Sequence, residues 1–518
     1  VVEAIVYAIV AAASTAGISG AALTAVYYAT TAAVYALTAI GASYAQQALA
    51  KSSAKTPDSP SGINAPEARG NVKQATPAQR LIVGPSRVGG AVFFYEVKPP
   101  YLYIGLLYSS SVVNRFKELY VNGDRKIAIP SIAENTITIP AGVEGQPNYP
   151  ERLSFCVQHG TLDQGVNAII AADFPELGSR FITPGIANAV FKCNYGDDYD
   201  EFVALWGNVS IPAFEWVIEG CPLPDPRVPG CDLDFDANDP EQLYAAMASW
   251  PYSENATLAQ ALWAALPCGL RATMQRINWS TVKPSADFDD EAVALKDGGF
   301  QRRHTVGGMI SLSDKPNTVM ESLMSANRGY PSQRAGLFEV HSSQPQEPVL
   351  TITDKMFLSG GFQFRRLRPK KDLANIARCT FIAPDRQYQD ANGPVLRRED
   401  LIEADGEELE QSVRLSFTNT YQRAQRILKA MLAEARLDRY LTCKVPMVCY
   451  GLREGNIVRR FSETGRYARQ NGLYSVEEWS LETDRSGVNL SLAEYDPSIA
   501  RDWNPQTDEL PFELEAAA

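Results

Sequence analysis

Histidine is almost missing from this 518-residue chain: only His159, His304 and His341 occur. None of them stands in an HExxH helix, and there is no GxSxG elbow, P-loop or dinucleotide fingerprint. The common arrangements for metal-assisted hydrolysis, acyl transfer, phosphoryl transfer and hydride transfer are therefore unsupported. The eight cysteines form no CxxC pair, and His159 beside Cys156 is the nearest approach to metal-ligand spacing. With no second pair close in sequence, a zinc site is poorly supported. A basic field is lacking too. Asp+Glu number 60 against 48 Lys+Arg, a net charge of -12, which excludes general phosphate neutralisation as a way of holding nucleic acid. An acidic wall along which DNA slides is compatible with that balance. No catalytic, cofactor-binding or metal-binding residue is assigned, and the chain is read as a non-enzyme.

Charge itself is missing from one long stretch. Between Glu3 and Lys51 no charged side chain appears, and Ala, Val, Ile, Thr and Tyr dominate. The pattern predicts two apolar helices, 4–15 and 21–44, broken at Gly17-Ile-Ser-Gly20. The second is long enough for a bilayer, which needs roughly 20 residues. A signal peptide lacks its basic start here. A membrane anchor lacks flanking Lys/Arg clusters, and alanine adds little transfer energy. A small-residue helix packed closely against its own copies or another apolar helix fits the composition best. Val26, Tyr27, Tyr28, Tyr35 and Leu37 are the candidate contact residues, toward a membrane or a partner.

What is present is ordinary globular material. Hydrophobic residues make up 45% and charged residues 21%, and the length predicts two to four domains. An aromatic share of 10%, with 36 Gly and 33 Pro, leans toward strands and turns. The expected fold class is α+β, multi-domain, with β-rich barrel or sandwich modules and interspersed helices. Residues 1–50 form the apolar segment, and 51–76 a Ser/Pro/Ala/Lys-rich flexible linker. A first β-rich domain spans 77–175, with short strands at 80–85 and 90–96, a core strand at 101–108, and a hairpin through Asn122-Gly-Asp. Residues 176–275 make a variable α+β region with helices after Asp239 and Ser253. A second domain covers 276–415, with an amphipathic helix at 316–327. Residues 416–505 carry the best helix, 417–439, with its last turns basic at Arg436 and Arg439, then closing strands. Residues 506–518 are a tail.

Three clusters invite chemistry. Asp197 to Glu201 and Asp232 to Asp239 are carboxylate-rich. The second begins like a calcium loop but lacks its glycine and closing Glu, and Pro240 starts a helix there, so a solvated loop with an N-cap is favoured. The run Phe364-Arg-Arg-Leu-Arg-Pro-Lys-Lys-Asp is densely basic, a solvated or intersubunit face in preference to a DNA contact. Cys221 and Cys231 bracket a Pro-rich loop. They could close a disulfide outside the cell, while reduced thiols are favoured for a protein assembled in cytoplasm.

Several stretches resemble the tip-attachment (host-specificity) protein family, the central tail hub of lambda-like siphophages. Gln74 to Phe94 looks like that family's opening strand pair, followed by Tyr103-Ile-Gly-Leu-Leu and the hairpin from Phe116. Ile277-Asn-Trp, Arg303-His-Thr-Val-Gly-Gly-Met-Ile-Ser and Pro348-Val-Leu-Thr-Ile-Thr keep the family order. Lys370 to Gln389 is the most specific match, reinforced by Glu403 to Leu409, Tyr421 to Lys429 and the closing Tyr495 to Pro505. The ordered matches cover about 74–505, loosely between 147 and 267. The resemblance implies a homotrimer around a channel, joined to the distal tail protein ring, with the tape measure protein's end inside. On that basis the apolar segment would meet the tape measure, or a host membrane on release. Longer members continue into receptor-binding modules. The stop at Ala518 leads to the expectation that separate tail fibre or spike proteins recognise the host. The implied location is the virion tail tip, assembled in host cytoplasm, with genomic DNA only in transit. The alternatives are a tail-associated cell-wall-degrading enzyme and a membrane-anchored pore-type protein.

Overall fold

The computed structural model describes Asn71 and residues 77–512 apart from 124, 128, 130–131, 141–151, 195–205, 207–210, 359–361, 367–369, 371–372 and 483–485. Nine strands come first: β1 (Arg80–Val83), β2 (Pro85–Gly89), β3 (Ala91–Lys98), β4 (Tyr101–Ser109), β5 (Arg115–Val121), β6 (Arg125–Ile127), β7 (Leu153–Gln158), β8 (Ala187–Asn194) and β9 (Phe214–Glu219). Two antiparallel sheets, in the orders β3-β4-β8-β7 and β2-β9-β5-β6, face one another. Leu102, Ile104 and Leu106 alternate along β4 and enter the same core as Phe116, Leu119, Trp216 and Ile218. Phe191 stacks on Phe214 with centroids 3.9 Å apart, and Phe155 meets Trp216 edge-on at 5.3 Å. This is a β-sandwich. The intervening Tyr103 of β4 and Val190 of β8 pack the other way, under Ile169 and Ile170 of helix α1 (Ala168–Asp173). Strand β4 is apolar throughout because both of its faces are covered.

Two features differ from the sequence reading. The strands flanking Gly84-Pro85 do not pair with each other: β2 joins β9, β3 joins β4, and β1 leaves the sandwich altogether. Gly84 makes the bend at φ +56°, where an added Cβ would lie 1.9 Å from the Val306 carbonyl oxygen. Strands β8 and β9 also lie beyond residue 175 yet complete both sheets, so the sandwich runs across that expected boundary. The Asn122-Gly123 turn has positive φ at both residues and closes β5 onto β6, as the hairpin signal indicates.

Helices build the middle. They are α2 (Pro240–Met247), α3 (Ala256–Ala265), α4 (Trp279–Asp289) and α5 (Pro316–Ser325), with hairpins β10 (Ala292–Ala294)/β11 (Phe300–Arg302) and β13 (Tyr330–Arg334)/β14 (Leu337–His341). All ten residues of α3 are buried. Its alanines let α4 and α5 approach closely, and the Trp263 indole donates to the Pro316 carbonyl at 3.0 Å. The cap of α3 is Asn255, accepting from the Leu258 N–H at 3.2 Å. Strand β12 (Gly308–Ser311) pairs antiparallel with β1, Arg80 opposite Ser311 through Val83 opposite Gly308.

The last part is a six-stranded sheet ordered β15 (Leu350–Ile352), β22 (Ile457–Arg460), β23 (Gly472–Leu481), β24 (Val488–Glu494), β21 (Tyr440–Val445), β16 (Phe362–Arg365). Strands β16 and β21 are adjacent, so everything between them is an excursion from one sheet. That excursion folds on its own core: β17 (Ile376–Ala383) pairs antiparallel with β18 (Gln389–Asn392) and β19 (Leu396–Arg397). After helix α6 (Glu399–Asp405) it pairs in parallel with β20 (Glu410–Leu415). Helix α7 (Tyr421–Glu434) sets Ala424, Ile427, Leu428 and Leu432 against Ala377, Cys379 and Phe381.

Helix α7 is shorter and more enclosed than its periodicity suggests. Gln425 and Arg426, expected on a solvated face, are buried. Chain beyond β24 returns over them: Gln425 exchanges hydrogen bonds with Leu510 at 2.9 and 2.8 Å. Lys429 pairs with Asp508 at 2.8 Å, and Phe512 stacks on Tyr421 at 5.3 Å. The segment set apart as a tail is thus docked as far as Phe512. Arg436 and Arg439 lie past the helix end and serve ion pairs, with Asp405 at 2.6 Å and with Glu494, not the helix terminus.

The bend at Gly84 is testable. Gly84→Ala should cost roughly 3 kcal/mol or more, combining left-handed strain with overlap onto backbone. Gly230→Ala, at φ +85° in open space, should cost only about 1 kcal/mol. Denaturant melts of both variants measure the difference, and equal losses would refute the close-approach argument.

Candidate functional site

One grouping of hydroxyl, imidazole and carboxylate centres on Asp289; another, on the β13/β14 hairpin, sets Ser332 Oγ 2.9 Å from Glu339, to which it donates, and 3.2 Å from His341 Nε2. Helix α4 ends at Asp289, and its carboxylate accepts from Thr257 Oγ1 at 2.6 Å and Thr257 N–H at 3.0 Å. Ser342 Oγ donates to it at 2.5 Å and Asn327 Nδ2 at 3.1 Å, and His304 Nδ1 lies 2.9 Å from it. Asp289 and Ser342 have no exposed surface at all. Serine and imidazole both turn to the carboxylate, so neither activates the other, and no substrate reaches them. The cluster instead ties α3, the end of α5, β14 and the chain before β12 together. Burial, its largest influence, lowers the His304 pKa, and Arg426 and Arg303 act the same way; Asp289 opposes them.

Surface features point to docking. Pro446 ends the β21 ladder, and the turn Met447–Gly451 follows. Cys449 turns back into the sheet core. Met447, Tyr450 and especially Val448, at 72% exposed, face outward. Tyr450 meets Trp479 edge-on at 5.6 Å, and the Arg453 guanidinium lies 4.6 Å from the Trp479 ring. This gives a projecting apolar corner with a cation beside it. A groove of about 830 Å³ lies between α5 and the β13/β14 hairpin, lined by Met320, Met324, Leu337 and Phe338 with Arg271, Arg276 and Glu321. The sequence reading passed over the corner; its signal was an apolar run continuing beyond the proline that closes a strand.

The residues singled out from sequence fall as follows. Cys221 and Cys231 are free thiols. Burial pushes Cys221 up to about 12, and Cys231 Sγ accepts the Asp225 N–H at 3.2 Å; the bridge suggested by their loop is not formed in this structure. In the 232–239 loop, Asp232 accepts from Asp234 N–H, Asp236 from Asn238 N–H, and Asp239 caps α2 through Glu241 N–H. Among the described residues no group of three His, Cys, Asp or Glu is placed to hold a metal. Cys156 packs under α1 while His159 stacks on Phe116 at 5.8 Å, so they do not converge. In the basic run, Arg366 reaches Asp438 at 3.5 Å and Lys370 reaches Glu407 at 2.7 Å. Val26, Tyr27, Tyr28, Tyr35 and Leu37, the segment 1–50, the acidic residues 197–201 and the linker apart from Asn71 lie outside the described residues. No helix among the described residues is long and apolar enough to cross a membrane.

Comparison with known proteins bears on this surface. Residues 315–468, from α5 through β22, match a family model described as "Putative phage tail protein". No curated protein matches the chain. A chain in the virion of a native gene transfer agent particle superimposes with a TM-score of 0.58 at 15% identity, covering 92% of this chain and 98% of that one. A tail protein from Neisseria meningitidis MC58 is similar at TM-score 0.28 and 12% identity, covering 83% and 94% of the two chains. A prophage tail protein from Listeria monocytogenes EGD-e is similar at 0.26 and 9%, covering 77% and 86%. The first of these carries the same fold.

The buried cluster gives a pH test. Burial holds His304 below its ordinary 6.5, so on acidification the unfolded chain takes up that proton first. Stability is therefore full above about pH 6.5 and falls as pH drops below it. His341, also lowered by burial, acts in the same direction. Melting temperature should fall between about pH 7 and 5.5, and His304→Gln should flatten part of that slope. A variant with the wild-type slope removes His304 from the account.

Proposed function

We propose that this chain is a structural, non-catalytic component of a long-tailed phage particle: the central hub of the tail tip. In this reading three copies surround a channel below the tube and join the distal tail protein ring. They receive the end of the tape measure protein and carry separate fibre or spike proteins. The protein resides in the virion after assembly in host cytoplasm, and genomic DNA only passes through. The observation that carries the reading is the shared fold with a virion chain over nearly the whole of both chains, supported by the tail-protein match of residues 315–468. The corner at Met447, Val448 and Tyr450 adds a reason of its own. Its apolar side chains are exposed in one copy, and a neighbouring tail subunit would cover them.

An image of the assembled particle carrying a C-terminal label on this chain tests the placement. Threefold density below the tube is expected, and label elsewhere along the tail or absent from it would sink the hub assignment. Val448→Asp should change the stability of the isolated chain by about 0.5 kcal/mol or less, as an exposed site. It should nonetheless sharply reduce incorporation into tails, because a carboxylate would be desolvated at the contact. Normal incorporation would exclude the corner from any interface.

The apolar segment 1–50 carries the remaining part of the proposal: bundled copies in the lumen that meet the tape measure and are released toward the cell envelope. A chain lacking residues 1–50 should still assemble but should deliver DNA poorly. Delivery at wild-type efficiency removes that role from the segment.

A further inference from the structure

Chain from 497 to 512 folds back across α7, and between them lies a small cavity of about 20 Å³, enough for one water-sized species. Arg303, His304, Arg328, Arg426, Asp502 and Trp503 line it. Almost every charged or titratable group on its wall already has a partner. Arg303 pairs with Glu291 at 2.7 Å, Arg328 with Glu434, Asp502 with Lys429 at 3.0 Å, and His304 with Asp289 at 2.9 Å. Arg426 has no carboxylate at ion-pair distance among the described residues. Its Nη2 donates to the Arg303 carbonyl at 3.0 Å, but Nε and Nη1 are buried without an acceptor. The indole N–H of Trp503, on the same cavity, is buried without an acceptor as well.

Three orphan donors around one small void are costly, and the surrounding charge adds to the cost. Burial, the largest influence, brings Arg426 down to about 9; Arg423 and Arg303 add positive charge in the same direction, and Glu509 opposes them. A water molecule accepts two hydrogen bonds but supplies no counter-charge. An anion accepts from the Trp503 N–H and one orphan N–H of Arg426 and supplies the missing counter-charge. Phosphate, sulfate or a carboxylate group is too large for the space.

We propose that the cavity between α7 and the returning C-terminal segment binds a single monoatomic anion of the halide class, held by Arg426 and Trp503. The ion pins residues 497–503 onto the helix. The full chain tests this by melting in sodium chloride or sodium bromide against sodium gluconate at matched ionic strength. Halide should raise the melting temperature saturably, by roughly 2–4 °C, and Trp503→Phe, which keeps the ring and removes the N–H, should weaken the apparent halide affinity several-fold. Arg426→Met should abolish the halide increment. Should that variant fail to fold, crystals of the unaltered protein grown in bromide decide through an anomalous peak beside Arg426 and Trp503. Equal melting in halide and gluconate, or the absence of a bromide peak there, overturns the proposal.

Discussion

The ladder between β1 and β12 is the constraint on which two of the cores depend. Strand side chains alternate, and here alternate residues enter different cores. Leu81 and Val83 belong to the helical middle with Ile310, while Ile82 and Met309 belong to the sandwich. A one-residue slip would exchange every one of them between cores. The register of four residue pairs therefore fixes how the sandwich meets the helices. The close backbone approach that makes this possible needs glycine in both chains at one end of the ladder: Gly84 beside the Val306 carbonyl, and Gly307 against Pro85 and Asn419.

Other joints are polar and buried. Arg87 has no exposed side-chain surface, pairs with Glu215 at 2.8 Å, lies 3.9 Å over the Tyr120 ring, and donates to Gln387 Oε1 at 3.1 Å. One guanidinium thus links the sandwich to the excursion between β16 and β21. Asp289 performs the same task among α3, α4 and α5. A hydrogen-bonded group of this kind tolerates fewer alternative packings than apolar contact alone, because a shifted arrangement leaves donors unmatched. The Asp289 cluster, which resembles catalytic equipment in composition, is structural by burial and orientation.

Periodicity made much of the secondary structure legible. The hairpin at Asn122-Gly123, the helix from Pro316 and the strands around Leu441 and Val488 could be read locally, because turn chemistry and alternation are local signals. Partners of strands were not legible. The chain at 80–96 carries strand signals, but nothing within it reports that β1 joins a strand more than two hundred residues away. Helix α4 was obscured by Pro284 inside it and by its mixed polar sequence. Helix α7 was read as having one solvated face because its Arg and Gln residues look exposed until the returning chain covers them. The exposed apolar corner was the hardest feature, since an exposed Val448 and a buried Cys449 are neighbours and only the turn geometry separates them.

The placement of polar and apolar groups argues for what the fold is built to do. Carboxylates and guanidinium groups are spent on ion pairs: Arg460 on Asp354 and Arg439 on Glu494 brace the six-stranded sheet, and Arg501 of the returning chain joins Arg303 on Glu291 of the middle. The Arg501–Glu291 pair and the Arg87–Gln387 contact tie separate parts of the chain together. Outside, apolar side chains such as Val448, Val349 and Phe300 stay in water, where they contribute nothing to the stability of a single copy. In the proposed assembly, neighbouring subunits would bury such side chains. The short edge strands β15 and β16, three and four residues long, offer little for uncontrolled strand pairing. Contacts made by projecting corners on a rigid frame can then be selective while the sheets themselves stay unpaired.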